Sequence, residues 1–292
     1  MQDLKYGLLN EKLVHISEVV SGLECNCVCP HCGSRLIARK GNEKTHHFAH
    51  YKLADCNHGT ETALHIMAKN IIAQTKQIFV PLVHKDIYGN SGGGKVVAFE
   101  KAELEKQLSD TVRSDVLLSN GDRFLNVEIK VTHEIDLNKK IELFNLGIPT
   151  IEIDFSDIKS NFTTQLIEKR LLDGLYTELI FSPKRKDIFA KLLLGEWKKI
   201  HRNSYVNDCP LTHSKAYFVD YQGKGGSSQC HECNGFYESN RYSGWLLCRG
   251  VLDDLDYSKI DKILHLEKEE KHIRHVKLLM SDGSIFEKII KK

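Results

Sequence analysis

The sequence of 292 residues has no long apolar run, and this absence argues against a transmembrane helix, which needs about 20 apolar residues in succession. Its first residues, MQDLKYGLLNEKL, lack the basic segment and the following apolar segment of a secretory signal. We therefore expect a cytoplasmic protein that has no membrane partner.

A large excess of charge of one sign is also lacking, since the formal net charge is +2. Any binding of nucleic acid must then use local basic patches rather than a global field. The Gly-Gly-Gly-Lys run at 92–95 is not a phosphate-binding loop, because the G-x-x-x-x-G-K-[ST] pattern does not surround it. What is present, 41% hydrophobic and 27% charged residues, is typical of a globular protein with one large or two to three small domains.

The nine cysteines fall into two clusters, each with a Cys-x-x-Cys element, which in a reducing compartment indicates metal binding rather than disulfides. In the first cluster, Cys-Pro-His-Cys-Gly at 29–33 resembles a zinc knuckle, and tetrahedral zinc needs four ligands. The ligands that we predict are Cys29, Cys32, His50 and Cys56. His47 is the alternative to His50, whereas Cys25 and Cys27 have poor chelating geometry on an extended segment.

The second cluster resembles a zinc ribbon, with a glycine-rich turn and a long first spacer. Its predicted zinc ligands are Cys209, Cys230, Cys233 and Cys248. Aromatic residues alternate here with Lys and Arg, which suits stacking on bases, although a small ribbon also needs aromatics for its core.

Residues 60–76 have the apolar periodicity of a helix, with Thr60 as a plausible N-cap. Glu61, His65 and Lys69 follow at four-residue steps and should share one face of this helix. Glu61 is either a site residue or a first-turn acid favoured by the helix dipole. Residues 136–146 and 160–202 are also predicted helical, and 148–155 is predicted to be a strand that completes a crossover. The basic outer face of 160–202 could contact DNA or be solvated, and the same choice applies to Lys139 and Lys140.

Two runs rich in Val, Leu and Ile flank Asn120-Gly121, which is the strongest short hairpin signal. A two-residue loop at this dipeptide places Ser119 opposite Asp122 and Asp115 opposite Asn126. Strand alternation then puts Asp115, Glu128 and Lys130 on one face, with Asp115 and Glu128 as diagonal neighbours. Two carboxylates and a lysine on one face indicate a metal site, although solvated Glu and Lys are common on hairpins.

Several ordered motifs resemble the competence-associated CoiA-like nuclease family: CPHCG, LIARKG, HHFAH, ETALHIMAK, SDVLL and VEIKVT, over roughly residues 20–155. The resemblance implies a zinc lobe before a PD-(D/E)xK nuclease core, with Glu61 of the E-x-x-L-H helix contributing to the active site. Members of the family often carry Glu-x-Gln where this chain has Glu128-Ile129-Lys130. This departure favours intact catalysis here and leaves the substrate open.

We therefore predict an α/β fold: a restriction-endonuclease-like (PD-(D/E)xK) core at 59–203, an N-terminal zinc-finger lobe at 1–58 and a C-terminal zinc ribbon at 204–292. The predicted activity is that of a Mg²⁺- or Mn²⁺-dependent deoxyribonuclease, an endonuclease acting in DNA processing or defence against foreign DNA, with a helicase or ATPase as a possible partner. Two further Zn²⁺ ions would be structural. The alternative is a zinc-ribbon protein that binds or recruits nucleic acid around a vestigial nuclease core.

Each predicted site residue has a role in this hypothesis. Asp115, Glu128 and the Ile129 carbonyl would bind the ion, whose bound water has a lowered pKa. Lys130 would orient that water or neutralise charge on the phosphate, and Glu61 would complete the site through water or a second ion. The sequence leaves open DNA against RNA, and single strand against duplex.

Overall fold

The structure is a computed structural model that describes residues 4–52, 56, 58–82, 93–186, 189–190, 196–199, 205–206, 225–226, 236–240, 245–248, 255, 257–270 and 273–291. They divide into two compact units. The first contains the described residues within 1–83, 93–136 and 150–179, and the second those within 137–149 and 180–292. The predicted boundaries at 58 and 203 differ from this division, since the first unit includes both the amino-terminal lobe and much of the predicted core.

The amino-terminal lobe consists of two antiparallel hairpins. Their strands are β1 (Tyr6–Leu9), β2 (Lys12–His15), β3 (Leu36–Arg39) and β4 (His47–His50). Buried side chains from both hairpins, including Leu4, Leu36 and Phe48, form a small core with Cys25, Cys27 and Cys29. This core is separate from the main hydrophobic core, in agreement with the prediction of a distinct amino-terminal lobe.

The remainder of the first unit contains two helices, a mixed five-stranded sheet and a separate two-stranded sheet of β5 and β6. The elements are α1 (Gly59–Thr75), β5 (Gln77–Pro81), β6 (Gly94–Ala98), β7 (Lys101–Leu104), β8 (Val116–Asn120), β9 (Arg123–Lys130), β10 (Thr150–Asp154), α3 (Thr164–Leu171) and β11 (Thr177–Phe181). The sheet order is β11-β10-β9-β8-β7. Apolar residues of α1, such as Leu64 and Ile72, pack against Val116, Val127 and Ile151 of the sheet.

A parallel crossover lies at the centre of this sheet, as the strand–helix–strand pattern predicts. β10 pairs in parallel with β9, and α2 (Leu137–Leu146) occupies the connection between them. Parallel neighbours need such a long connection, because a tight turn joins only antiparallel strands. The pairing places Glu152 beside Glu128 and Asp154 beside Lys130.

The predicted register of the β8–β9 hairpin is wrong. Asn120 pairs with Arg123, so the two-residue loop is Gly121-Asp122, with Gly121 at φ 56° as the first loop residue. Asn120 remains in the strand because its side chain bonds the neighbouring chain: Nδ2 donates to Ala98 O at 3.0 Å, and Oδ1 accepts from Glu100 N at 2.7 Å. The correction shifts each cross-strand partner by two residues, so the residues within the paired strands keep their predicted faces.

Two helix predictions also need correction. His58, not Thr60, is the N-cap residue of α1, and Thr60 is buried within the first turn. The predicted helix at 160–202 is interrupted, because the chain turns at Asp173–Tyr176 and the apolar segment Thr177–Phe181 joins the sheet as β11. The α-helical structure among the described residues of this range comprises α3, residue 186 and residues 189–190. Residues 196–199 also form a strand, so the basic periodicity of this region does not describe one DNA-facing helix.

The second unit contains α2 and three small sheets. Their strands are β12 (Glu196–Lys199), β13 (Tyr205–Val206), β14 (Gly225–Gly226), β15 (Phe236–Asn240), β16 (Trp245–Cys248), β17 (Ile260–Glu270), β18 (Ile273–Met280) and β19 (Ile285–Lys291). β18 and β19 pair antiparallel on either side of the turn at 281–284. Asn145 joins α2 to β17 through two bonds with the backbone of Ile263. Across the described residues, no helix has the length and apolar character to cross a membrane.

Candidate metal centre and adjoining cleft

The four ligands predicted for the first zinc ion lie together in the amino-terminal lobe. The ligand atoms of Cys29, Cys32, His50 and Cys56 are all within 4.8 Å of one another. Cys29 Sγ lies 3.8 Å from Cys56 Sγ, and Cys32 Sγ lies 3.4 Å from His50 Nε2. Three sulfurs and one imidazole make a closed set of the kind that structural zinc prefers, so this group could hold a zinc-like ion.

Local structure explains why these side chains converge. The turn after Cys29 closes with a bond from Gly33 N to Cys29 O at 3.0 Å, and β4 carries His50 opposite Leu36. The start of α1 approaches the cluster closely, since a Cβ on Gly59 would lie 3.2 Å from Cys29 Sγ. Glycine at this position therefore lets the helix begin against the metal ligands.

The structure also distinguishes the ligands from their alternatives. His47 is three residues before His50 on β4, and its Nδ1 lies 2.8 Å from Thr45 O, away from the cluster. Cys25 and Cys27 are buried in the core of the lobe, where their thiols donate to Leu36 O and Cys25 O. They are structural thiols, in agreement with the prediction that gave them no ligand role.

The thiols of the cluster differ in acidity. Burial raises the pKa of Cys29 to about 11. Burial opposes ionisation of Cys32, but hydrogen bonds from Ser34, Cys29 and Cys56 together lower its pKa to about 6. Zinc binds thiolates, so an ion here would displace a proton from Cys29, and its binding would weaken in acid.

The second predicted zinc site is outside the described residues. Cys209, Cys230 and Cys233 are not described, and Cys248 is described only by its backbone at the end of β16. The second zinc ion stays a prediction.

A cleft of about 190 Å³ opens beside the first turns of α1. Its lining residues are His31, His58, Glu61, Thr62 and His65. His58 Nδ1 lies 3.3 Å from Glu61 Oε2, and His31 Nδ1 lies 3.1 Å from Thr62 Oγ1. Burial opposes ionisation of Glu61, but hydrogen bonds from Thr132 and His58 lower its pKa. Glu61 is therefore a bonded carboxylate in a cleft, and not simply a solvated first-turn acid.

Sequence reasoning missed His31 and His58 as lining residues of this cleft. His31 lies between two candidate metal ligands, Cys29 and Cys32, and His58 lies immediately before a helix, so each had a local reason to be overlooked. Their rings stand 5.2 Å apart, which joins the zinc knuckle to the start of α1.

Asp115 connects the hairpin to the cleft. Its Oδ2 lies 3.1 Å from His65 Nε2 of α1 and accepts a bond from Ile129 N at 2.9 Å. Burial opposes ionisation of Asp115, yet the bonds from His65 and Ile129 and the nearby charge of Lys69 lower its pKa. His65, on the Glu61 face of α1, is thus bonded to the residue that immediately precedes β8.

The geometry differs from prediction at one point, because Asp115 precedes β8 and strand alternation does not extend to it. Ser114 bonds Asn126, on the Glu128 face, whereas Asp115 turns to α1. The observed register still places Asp115 level with Glu128, one step beyond the Val116–Val127 pair.

Glu128 and Lys130 share a face of β9 with Asn126. Asn126 Nδ2 donates to Glu128 Oε1 at 3.1 Å, and Glu128 is buried. Lys130 Nζ lies 3.0 Å from Asp154 Oδ2, and this hydrogen bond is the main cause of the raised pKa of Lys130. Lys130 is therefore cationic at neutral pH. Asp154 was not predicted, although its alternation with Glu152 in the Ile-Glu-Ile-Asp segment was a usable signal.

Among the described residues, only the Cys29 cluster has three or more Cys, His, Asp or Glu ligand atoms close enough for one ion. A cation at Asp115 and Glu128 would therefore need backbone carbonyl and water ligands as well. Mg²⁺ is commonly bound in this way, through one or two carboxylates and several waters. Lys139 and Lys140 lie on α2 in the second unit, so their approach to a phosphate stays a prediction.

Comparison with known proteins supplies a family for the amino-terminal part. Residues 16–59 match the family model described as the competence protein CoiA, N-terminal domain. The chain carries a CoiA N-terminal domain. The predicted CoiA-like family is confirmed, and the match includes all four ligands of the metal cluster. Neither the curated proteins nor the solved structures contain a significant match to this chain.

Proposed function

We propose that this CoiA-like chain is a metal-dependent nuclease that hydrolyses phosphodiester bonds in DNA. One observation carries the proposal: Asp115 Oδ2 lies 2.9 Å from Ile129 N, on the peptide that joins Glu128 to Ile129. The aspartate is thus beside the Glu-x-Lys segment, although twelve residues separate it from Glu128. The mixed sheet with a parallel β9–β10 pair is consistent with a restriction-endonuclease-like core.

The chemistry of the donors fits a hard divalent ion. Asp115 is held ionised although it is mostly buried, and carboxylate and carbonyl oxygens are the ligands that Mg²⁺ and Mn²⁺ prefer. Asp115, Glu128 and the Ile129 carbonyl would hold the ion. When bound, such an ion lowers the pKa of a water ligand and offsets negative charge on a phosphate.

The remaining residues have roles that follow from their charges. Lys130 is cationic and hydrogen-bonded to Asp154, so it is suited to stabilise an anionic phosphate rather than to accept a proton. Glu61 faces the cleft as a carboxylate and is suited to orient a water molecule. DNA processing or defence against foreign DNA, with a helicase or ATPase partner, is the setting that we propose.

A second candidate is a nucleic-acid-binding or recruiting protein with a vestigial nuclease core. The observation that favours it is the bond of Lys130 to Asp154, because a lysine held by a neighbouring acid is less available to a substrate.

The test is cleavage of single-stranded, duplex and forked DNA and of RNA, with Mg²⁺, with Mn²⁺ and with EDTA. Asp115→Ala, Glu128→Ala and Lys130→Ala should each abolish cleavage while fold and zinc content stay unchanged. His46→Ala is the matched control, since His46 is exposed and outside both the metal cluster and the cleft. Binding of DNA without cleavage at any metal concentration would favour the second candidate. Full cleavage by the Asp115 or Glu128 variant would refute the proposed metal site.

A further inference from the structure

His65 is the side chain that connects α1 to Asp115. It lies four residues after Glu61 on the same helix, so both side chains face the cleft. Its Nε2 atom is 3.1 Å from Asp115 Oδ2, and the side chains of His65 and Asp115 are 29% and 15% exposed. The interaction is therefore largely removed from solvent, where a hydrogen bond to a carboxylate has a substantial effect.

The direction of this hydrogen bond is fixed by its partner. An ionised carboxylate only accepts, so the proton lies on Nε2 of His65. Ile129 N donates to the same oxygen at 2.9 Å. Both of these donors therefore converge on Oδ2 of Asp115, and neither bond uses Oδ1.

The sheet supplies one backbone donor to the Asp115 carboxylate, Ile129 N of β9. Asp115 itself precedes β8, so cross-strand packing does not fix its side-chain rotamer. Lys69, one turn further along α1, bonds Glu105 and acts on Asp115 only through its charge. Among the described residues, His65 is the side chain that hydrogen-bonds the Asp115 carboxylate.

We propose that His65 is a positioning residue, whose Nε2–H holds the Asp115 carboxylate in the orientation that binds a divalent cation. This inference rests on the proposed function and deepens it, because it assigns the metal affinity of that site partly to α1. Residues that hold a metal-binding carboxylate or imidazole commonly contribute about 10–100-fold to metal affinity or activity.

The experiment compares His65→Ala with His65→Gln in the full chain. Glutamine can place an amide N–H near the position of Nε2, whereas alanine removes the donor. Two quantities are measured: the Mg²⁺ concentration that gives half-maximal cleavage, and the affinity for Mn²⁺ by titration calorimetry. The site is defined as the Mn²⁺ binding that Asp115→Ala removes. His46→Ala is the matched histidine control, and circular dichroism with elemental zinc analysis reports whether each variant is folded.

We expect His65→Ala to weaken Mn²⁺ binding and raise the half-maximal Mg²⁺ concentration about 10–100-fold. His65→Gln should restore both to within a few-fold of the unsubstituted protein. Equal metal affinity in His65→Ala and the unsubstituted protein overturns the inference, as does loss in His65→Gln equal to that in His65→Ala.

The two measurements separate this inference from the proposed function. If the unsubstituted protein binds Mn²⁺ at Asp115 without cleaving DNA or RNA, the proposed function fails and the Mn²⁺ affinities alone decide the role of His65. If no Mn²⁺ binding depends on Asp115, both are overturned.

Discussion

The candidate zinc cluster of the amino-terminal lobe gives the sharpest prediction of stability. We expect Cys29→Ser to remove one zinc ion per chain and to unfold the lobe. Cys29 is fully buried, and its sulfur is one of four ligand atoms within 4.8 Å of one another. The Sγ atom also lies against the first residue of α1, so loss of the ion should loosen the start of that helix.

The magnitude follows from the size of the lobe. Zinc contributes about 10–16 kcal/mol at pH 7 in small zinc-finger peptides, whereas a whole domain is stable by only about 5–15 kcal/mol. Cysteines make up three of the nine buried residues in the core of the lobe, which leaves few large apolar side chains to hold the fold. Loss of a ligand should therefore abolish the cooperative folding of the lobe rather than weaken it slightly.

The assay has a matched control in the same core. Cys25 is also buried, but its thiol donates to Leu36 O at 3.5 Å and lies outside the cluster. Cys25→Ser should keep its zinc and cost about 1–3 kcal/mol, the usual cost of burying a hydroxyl in a protein. Elemental analysis, thermal unfolding and proteolysis of residues 4–50 measure the outcome. Equal zinc content in Cys29→Ser and the unsubstituted protein, or equal loss in both variants, would refute the assigned ligands.

Three further predictions concern the cleft and the second cysteine cluster. Glu61→Ala should lower cleavage about 10–100-fold with little change in stability, because its carboxylate faces the cleft; kinetics equal to those of the unsubstituted protein would return it to a helix-start role. Asp115 has a lowered pKa, so its charge stabilises the fold above the unfolded pKa of about 3.9, and this contribution is lost as the pH falls through the folded value. Urea unfolding should therefore show Asp115→Asn less stable than the unsubstituted protein at pH 7, with a smaller gap near pH 3; a constant gap would contradict this. Cys230→Ser should release a second zinc ion and create protease sites between about 205 and 250, whereas one zinc per chain that Cys230→Ser retains would exclude the predicted ribbon.

The sequence alone determined the features that depend on neighbouring residues. The covalent chain sets the two-residue gap between Cys29 and Cys32. Only a few backbone conformations of such a short turn present both sulfurs to one ion. The same applies to α1, whose apolar stripe predicted both the helix and the shared face of Glu61 and His65. The parallel β9–β10 pair was predictable because a strand, a helix and a strand in succession favour a crossover.

Local competition explains where the sequence misled. Asn120-Gly121 favours a turn by itself, yet Asn120 forms two bonds with the backbone at Ala98 and Glu100, about twenty residues earlier. The sequence pattern at 177–181 predicted a helix, but this segment pairs with β10 and forms β11, the edge strand of the sheet. In both places a partner distant in sequence outweighed the local preference.

Tertiary structure decided which side chains of the candidate site contact one another. It selected His50 over His47, paired His65 with Asp115 and Lys130 with Asp154, and brought His31 into the cleft. His65 and Asp115 are fifty residues apart, and no spacing rule links positions on a helix and a hairpin at that separation. Residue types and short spacings can predict which side chains are able to do chemistry, but the packing of α1 on the sheet determines which of them meet.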